Sequence, residues 1–432
     1  MKNTKTFQYV VIGIFVFFII VGAILFATYR SSQSAANSIS INMWGTLSAD
    51  AFSSFTTQYF SDQDLKYTVN YTQRDPSTFD RDLVEALASG SGPDAIILPE
   101  SLIYRYFNRI YPIPYTLLPE LTFKQTYVQE GEMFLTANGI LALPFSINPM
   151  VMYWNRDIFN NVALTKPPTN WADFITLAPK VVKKDEAQNI TRSFTALGEY
   201  RNVNNAKGIL STLFLQTGNP IIYFKYNDST FSSVLDQGEN KANNLALQFY
   251  TNFSNPTRPE YSWNRSWPNS LDAFTNGDLA IYFGFASELP DIKSKNPNLN
   301  FDVSIMPQAK DPKAVYSTFG NMLGLAIMKN SSNPSGTYTV ISALTSASAV
   351  PFWSKLFYLP SARRDILGIL ETNAARAVFN QSAIISRGWY DPKSADSNTV
   401  FQEMIESYTT GRDTLDGALN VASDRLENLL KK

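Results

Sequence analysis

The chain has 432 residues, with 36 Lys and Arg against 37 Asp and Glu, and contains neither Cys nor His. Its 44% hydrophobic and 14% aromatic content fills a sizeable core, which excludes disorder over most of the length, and the length suits two or three domains or one large α/β unit with insertions. Without Cys there is no disulfide, thiolate metal site or cysteine nucleophile. Without His there is no Ser-His-Asp triad or HExxH zinc site, and a formal charge of −1 argues against nucleic acid as a partner.

The chain opens with an unbroken apolar run from Val10 to Ala27, close to the roughly 20 residues that cross a bilayer core. Lys2 and Lys5 precede it and only Arg30 follows. The positive-inside rule therefore leaves residues 1–9 in the cytoplasm and exports the remainder. Residues 10–29 read as a retained transmembrane anchor or uncleaved signal, chosen over cleavage near Ser34-Ala35-Ala36 because the run exceeds a normal secretory h-region. Residues 30–37 read as a flexible tether.

Ile39, Ile41 and Met43 alternate up to Trp44-Gly45, which predicts a first strand breaking into a loop. Phe52, Phe55 and Tyr59 place a helix next, and Tyr67, Val69 and Tyr71 a second strand. Leu83, Ala86 and Leu87 lie on a helix over Phe79–Ser89, with Gly90 as its C′ cap. Ala95 to Leu98 is apolar throughout, as in a central strand covered on both faces. This β-α-β-α-β order predicts a doubly wound α/β sheet whose ligands sit beyond the C-terminal strand ends. Trp44 and the Pro99-Glu100-Ser101 loop both fall there.

Further on, Leu141–Phe145 and Val151–Trp154 read as strands on either side of Ser146-Ile147-Asn148-Pro149. Asn170 is an N-cap with Asp173 at N3. A helix over Leu271–Asn276 ends at Gly277, Leu279–Phe283 is strand-like, and Val303 and Ile305 form a short strand closed by Pro307. Leu415, Ala418, Leu419, Ala422, Leu426 and Leu429 form the apolar stripe of a final helix.

Several stretches together carry a resemblance. They are Leu87–Ile96 (LASGSGPDAI), Leu143-Pro144-Phe145-Ser146 running into Met152–Phe159 (MYWNRDIF), Pro167–Phe174 (PPTNWADF), Ala273–Ala280 (AFTNGDLA), Phe301–Gln308 and Tyr358-Leu359-Pro360-Ser361. In this order, over most of residues 38–430, they resemble the extracellular solute-binding proteins of ABC transporters, specifically the multiple-sugar and maltodextrin-binding group. Many such proteins are lipid-anchored through a Cys that this chain lacks, so the apolar segment would replace the lipid.

The resemblance implies a two-lobed periplasmic-binding-protein-like fold with doubly wound sheets and hinge-crossing strands. Lobe one would be residues 38–147 plus 309–346, and lobe two 148–308 plus 347–432. Hinge candidates are Ser146 to Pro149 and Gln308 to Asp311. A monomer would capture a carbohydrate between the lobes on the outer face of the membrane, deliver it to ABC permease subunits, and need no cofactor or metal. Sugars require flat aromatics for their C–H faces and planar polar groups for their hydroxyls. Trp44 is the first aromatic candidate, set against plain loop packing. Glu100 is a hydroxyl acceptor or a solvated loop acid. Phe285 and Ser287 belong to a segment that in this family meets the sugar, with Phe283 assigned to the core. Asn148 and Tyr358 complete the set. Two other readings stay open: a sensor or adhesion ectodomain of the same fold, and a surface glycoside hydrolase using paired carboxylates from among Asp94, Glu100, Asp157, Asp278 and Glu288.

Overall fold

The computed structural model describes Val21, residues 38–237 and residues 241–431. Apart from Val21, the expected anchor and tether lie outside the described residues. Among the described residues no helix is long and apolar enough to cross a membrane.

The strands in chain order are β1 (Ile39–Gly45), β2 (Tyr67–Gln73), β3 (Ala95–Pro99), the short pair β4 (Leu135–Thr136) and β5 (Gly139–Ile140), the long β6 (Ala142–Asn155), β7 (Lys183–Lys184), β8 (Ile190–Thr195), β9 (Ile222–Lys225), β10 (Thr230–Ser233), β11 (Leu279–Phe285), β12 (Phe301–Ile305), β13 (Thr318–Ile327) and β14 (Ser386–Arg387). The main sheet runs β2-β1-β3-β13-β6-β11-β8-β7, with β12 beside β6 and β14 beside β13. β1 pairs in parallel with β2 and β3, as the β-α-β-α-β order requires, and β13 closes this half antiparallel to β3. The connecting helices are Ala49–Asp62, capped by Ser48, and Phe79–Ala88, after which Gly90 takes φ +72° at C′.

The two lobes meet on one strand. Residues 142–149 of β6 pair with β13, and residues 150–155 pair with β11 and β12. The expected interruption at Ser146–Pro149 is therefore absent, and Pro149 lies inside a continuous strand. A proline has no N–H to give a ladder, which normally bars it from central strands. Here it is the last residue paired with β13, opposite Gly320, and Met150 opens the β11 ladder opposite Phe285. The proline occupies the step at which the strand changes partners.

Each lobe buries its own aromatics. Phe52 stacks on Tyr71 with centroids 4.3 Å apart, and Phe145 lies 4.3 Å from Trp353. In the other lobe Phe174 stacks on Phe283, which is core as expected. Asn170 caps the helix Trp171–Val181, and the Trp171 indole N–H donates to Gln216 Oε1. Trp263 is fully buried, donates to Asn202 Oδ1 and packs on Trp267, so this pair pins its loop. The helix Val350–Phe357 lies against the helix Ala49–Asp62, with Tyr59 and Phe352 5.4 Å apart.

Candidate ligand site between the lobes

The C-terminal ends of β1, β2 and β3 point toward the place where β6 changes lobes. Trp44, the penultimate residue of β1, is half-buried, and the Arg74 guanidinium, just past β2, lies 3.7 Å from its ring centroid. The loop beneath is held by Tyr71, whose hydroxyl donates to the Leu47 carbonyl, and by the Arg74 N–H, which donates to the Gly45 carbonyl. One face of Trp44 is thus taken by a cation of its own lobe, and the buried Nε of Arg74 has no hydrogen-bond partner.

Glu100 does not sit in a solvated loop. It opens a 3-10 turn after β3, is 3% exposed, and accepts the Met322 N–H at 3.1 Å. Glu130, 1% exposed on the 3-10 segment Gln129–Phe134, contacts it. Glu130 is held by the Glu100 carboxyl and the Ser386 hydroxyl, whereas the buried hydroxyl of Ser146 has no hydrogen-bond partner. Burial pushes the Glu100 carboxyl well above its ordinary range, and the neighbouring Glu130 adds to this. Burial also raises Glu130, against the opposing pull of Glu100, Ser386 and Arg387. Arg387 reaches this cluster from β14, which pairs with β13, and donates to Gln129 Oε1 and to the Ser386 carbonyl. The close approach depends on two glycines: a Cβ at Gly388 would collide with Glu100, and one at Gly320 with Ser386 and Glu130.

A second group of candidates gathers at the step where β6 changes partners. The Asn148 Nδ2 donates to Ser287 Oγ (2.9 Å), and the Ser287 N–H returns a bond to Asn148 Oδ1 (3.0 Å). Glu288 fixes this turn by accepting the Phe285 N–H and the Asn205 amide, each at 2.8 Å, and the Tyr282 hydroxyl. Phe285 is half-buried and meets Phe319 edge-on at 6.2 Å. Behind it Lys207 bonds Asp391 at 2.6 Å, and its ammonium lies 5.5 Å from the Trp389 ring. Among the described residues no group of three or more acidic side chains is placed to hold a metal ion.

A family model for bacterial extracellular solute-binding proteins matches residues 51–367. The chain belongs to this family. The sn-glycerol-3-phosphate-binding periplasmic protein UgpB of Escherichia coli K12 is 23% identical over 340 residues, covering 72% of this chain and 74% of that protein. Among solved structures, the cyclic α-maltosyl-1,6-maltose binding protein of Arthrobacter globiformis superposes with a TM-score of 0.73 at 15% identity, over 91% of this chain and 99% of the other. The sugar-binding protein MalE of Xanthomonas citri gives 0.71 at 14%, over 91% and 97%. At such identities the structural likeness is one of fold.

In this solute-binding protein the sequence-derived candidates separate into three groups. Asn148, Phe285 and Ser287 come together around the strand crossing. Trp44 and Glu100 sit at adjacent strand ends of lobe one. Tyr358 lies apart: it is 59% exposed at φ +54°, closes the helix Val350–Phe357, and lines a small surface cavity with Leu359, Pro360 and Phe379. Of the hinge candidates, Ser146 is buried within β6 and bridges to Ser361. Gln308 is buried and fully engaged, donating to the Met306 and Ser317 carbonyls and accepting the Ser317 N–H. Sequence reasoning did not include Glu130, Lys207 or the Arg387–Asp391 segment. In that segment two aromatics, a cation and an acid beside Gly388 form a readable signal of the kind that singled out Trp44. Glu130 carries none.

Proposed function

We propose that this protein is a membrane-anchored, extracellular capture protein that binds a carbohydrate between its lobes and hands it to an ABC permease. The observation that carries this reading is the buried polar cluster beside the β6 crossing: Glu100 and Glu130 held against each other and against Ser386, with the Ser146 hydroxyl nearby in β6 left without a hydrogen-bond partner. Such buried groups are costly unless a polar guest completes their hydrogen bonds. Trp44 and Phe285 supply flat apolar faces from opposite lobes, which suits a molecule with both C–H faces and hydroxyls. The binding residues on this reading are Trp44, Glu100, Asn148, Phe285 and Ser287, joined by Glu130 and Arg387, with Tyr358 at most peripheral. The bound sugars of related structures, such as the maltotetraose of a cyclo/maltodextrin-binding protein, support the ligand class. The paired acids speak against a phosphate ester like that named for the E. coli relative. Glu100 and Glu130 also touch directly, whereas two-carboxylate glycoside hydrolysis needs a separation of about 5 Å or more.

On this reading the lobes take the boundaries expected from the sequence, except that the helix Val350–Phe357 is counted with lobe one because it packs on the helix Ala49–Asp62. They pivot where β6 and β13 change surroundings, near Pro149 and Gly320. Ligand contacts made on both sides draw the population toward closure. The apolar run Val10–Ala27 is the anchor.

Calorimetry of the full-length protein against mono- and oligosaccharides and glycerol 3-phosphate, with product analysis, tests the reading. Saturable binding of an unchanged sugar is the expected result. Binding of the phosphate ester alone, or turnover, overturns it. With a binder in hand, Trp44→Ala and Phe285→Ala are each expected to weaken affinity by roughly 1–3 kcal/mol with thermal stability near the parent's. Parental affinity in both would remove these rings from the site.

A further inference from the structure

We infer that the hairpin β9–β10 is a latch that holds the lobes together by aromatic contacts lying outside the solute site. This rests on the two-lobed reading above but makes its own claim about lobe closure. Phe224 and Phe231 are register partners on the hairpin, 4.7 Å apart, so their rings share one face. The hairpin is a sheet of only two strands, separate from the main sheet, and such a ribbon is marginal unless its apolar face is covered. The cover comes from the opposite lobe. Tyr104 and Phe107, on the short helical segment after β3, place their rings edge-on to Phe231 at 5.0 and 5.5 Å, and Phe107 meets Phe224 at 5.8 Å. Tyr390 backs the pair at 5.3 and 5.1 Å.

Hydrogen bonds follow the same seam. The Tyr104 hydroxyl donates to the Leu430 carbonyl at the end of the last helix, the Tyr390 hydroxyl to the Met133 carbonyl at 3.0 Å, and the Tyr115 and Tyr226 hydroxyls meet at 3.1 Å. A cavity of about 890 Å³ adjoins the rings, and Arg105, Arg109, Asp228 and Lys393 are among its lining residues. Separating the lobes would expose the hairpin's rings and break these bonds together. None of these rings is among the residues proposed to touch the solute. The latch therefore biases the lobes toward closure before any solute arrives, and it adjusts apparent affinity by changing how often the closed form is populated.

The Cys-free chain permits a direct test. Spin labels at Gln58→Cys and Lys293→Cys, one exposed site on each lobe, report the interlobe distance in the ligand-free full-length protein. The expected result is one short distance for the parent and a longer, broader distribution for Phe231→Ala. Tyr104→Ala, made on the opposite lobe, should give the same lengthening. The double variant should add little to either single change, because both remove the same contact. Melting temperatures would show that each variant is folded, and Phe231→Leu, which keeps an apolar group of similar bulk, should stay near the parent. Unchanged distances in folded Phe231→Ala and Tyr104→Ala would overturn the latch. Where a sugar ligand is found, its dissociation constant should rise on the order of tenfold in either variant. Lengthened distances with no sugar binding would leave the latch standing and sink the carbohydrate reading instead.

Discussion

Lys207→Met is expected to lower stability by about 3–5 kcal/mol, the cost of stranding a buried charge. Lys207 and Asp391 retain only 14% and 6% of their side-chain exposure, and they meet at 2.6 Å. Lys207 also donates to Ser397 Oγ at 2.8 Å, while Asp391 accepts from Ser397 Oγ (2.9 Å) and the Lys393 N–H (3.1 Å). Lys207 stands in the first turn of the helix Ala206–Gln216, where the helix dipole disfavours a cation. Only the carboxylate 184 residues further along accounts for its presence there. Removing the ammonium leaves Asp391 buried with two hydrogen bonds and no counter-charge. Denaturant unfolding of the single variant and of Lys207→Met combined with Asp391→Leu checks this. The double variant should recover most of the loss, because an apolar pair demands no desolvation of ions. A single variant within about 1 kcal/mol of the parent would show that the pair contributes little.

Glu100→Gln is expected to make stability less dependent on pH and to raise it near neutrality. In the folded chain the Glu100 and Glu130 carboxyls titrate above the ordinary value of 4.5, chiefly through burial. The native form therefore holds protons that the unfolded chain releases. For acids shifted upward, the contribution to stability is complete below about pH 4.5 and is lost as pH climbs through the raised values. The groups facing Glu100 are Glu130 and Asp391, which raise it, and the Met322 N–H, which lowers it. Arg387 draws Glu130 downward. A glutamine at position 100 can still accept the Met322 N–H and cannot ionise. Melting temperatures from pH 4 to pH 8 should converge at the acid end and separate toward neutrality, with the variant higher. Parallel curves would mean that Glu100 ionises at no special cost.

The lobe-one order was legible because its signals are local. Alternating Ile39, Ile41 and Met43, the Phe52-Phe55-Tyr59 spacing, Gly90 at C′ and the apolar Ala95–Leu98 each act within a few residues, and all correspond to observed elements. The ordered stretches from Leu87 to Ser361 carried the family. What local signals misread was β6. Pro149 looks like a break because the proline rule assumes a strand with the same neighbours along its length, and here the neighbours change at that residue. Glu100 was half-read: its place after a strand was recognisable, but its burial depends on Glu130, Gly388 and Met322, which only the folded chain gathers. Tyr358 followed a family landmark to a surface position. Lys207 and Asp391 had no local pattern, since an ion pair spanning 184 residues leaves no periodicity.

The sharing of β6 reaches beyond the hinge. Severed near Pro149, residues 150–155 would stay with β11 and β12, but β3 and residues 142–148 would part from β13, the strand that lies between them. Each fragment would then present an unpaired ladder edge, a template for sticking to other chains rather than for folding alone. Neither lobe is thus a separable module that could be lent to another protein by simple excision. A graft of the binding half would have to carry the whole of this strand with it.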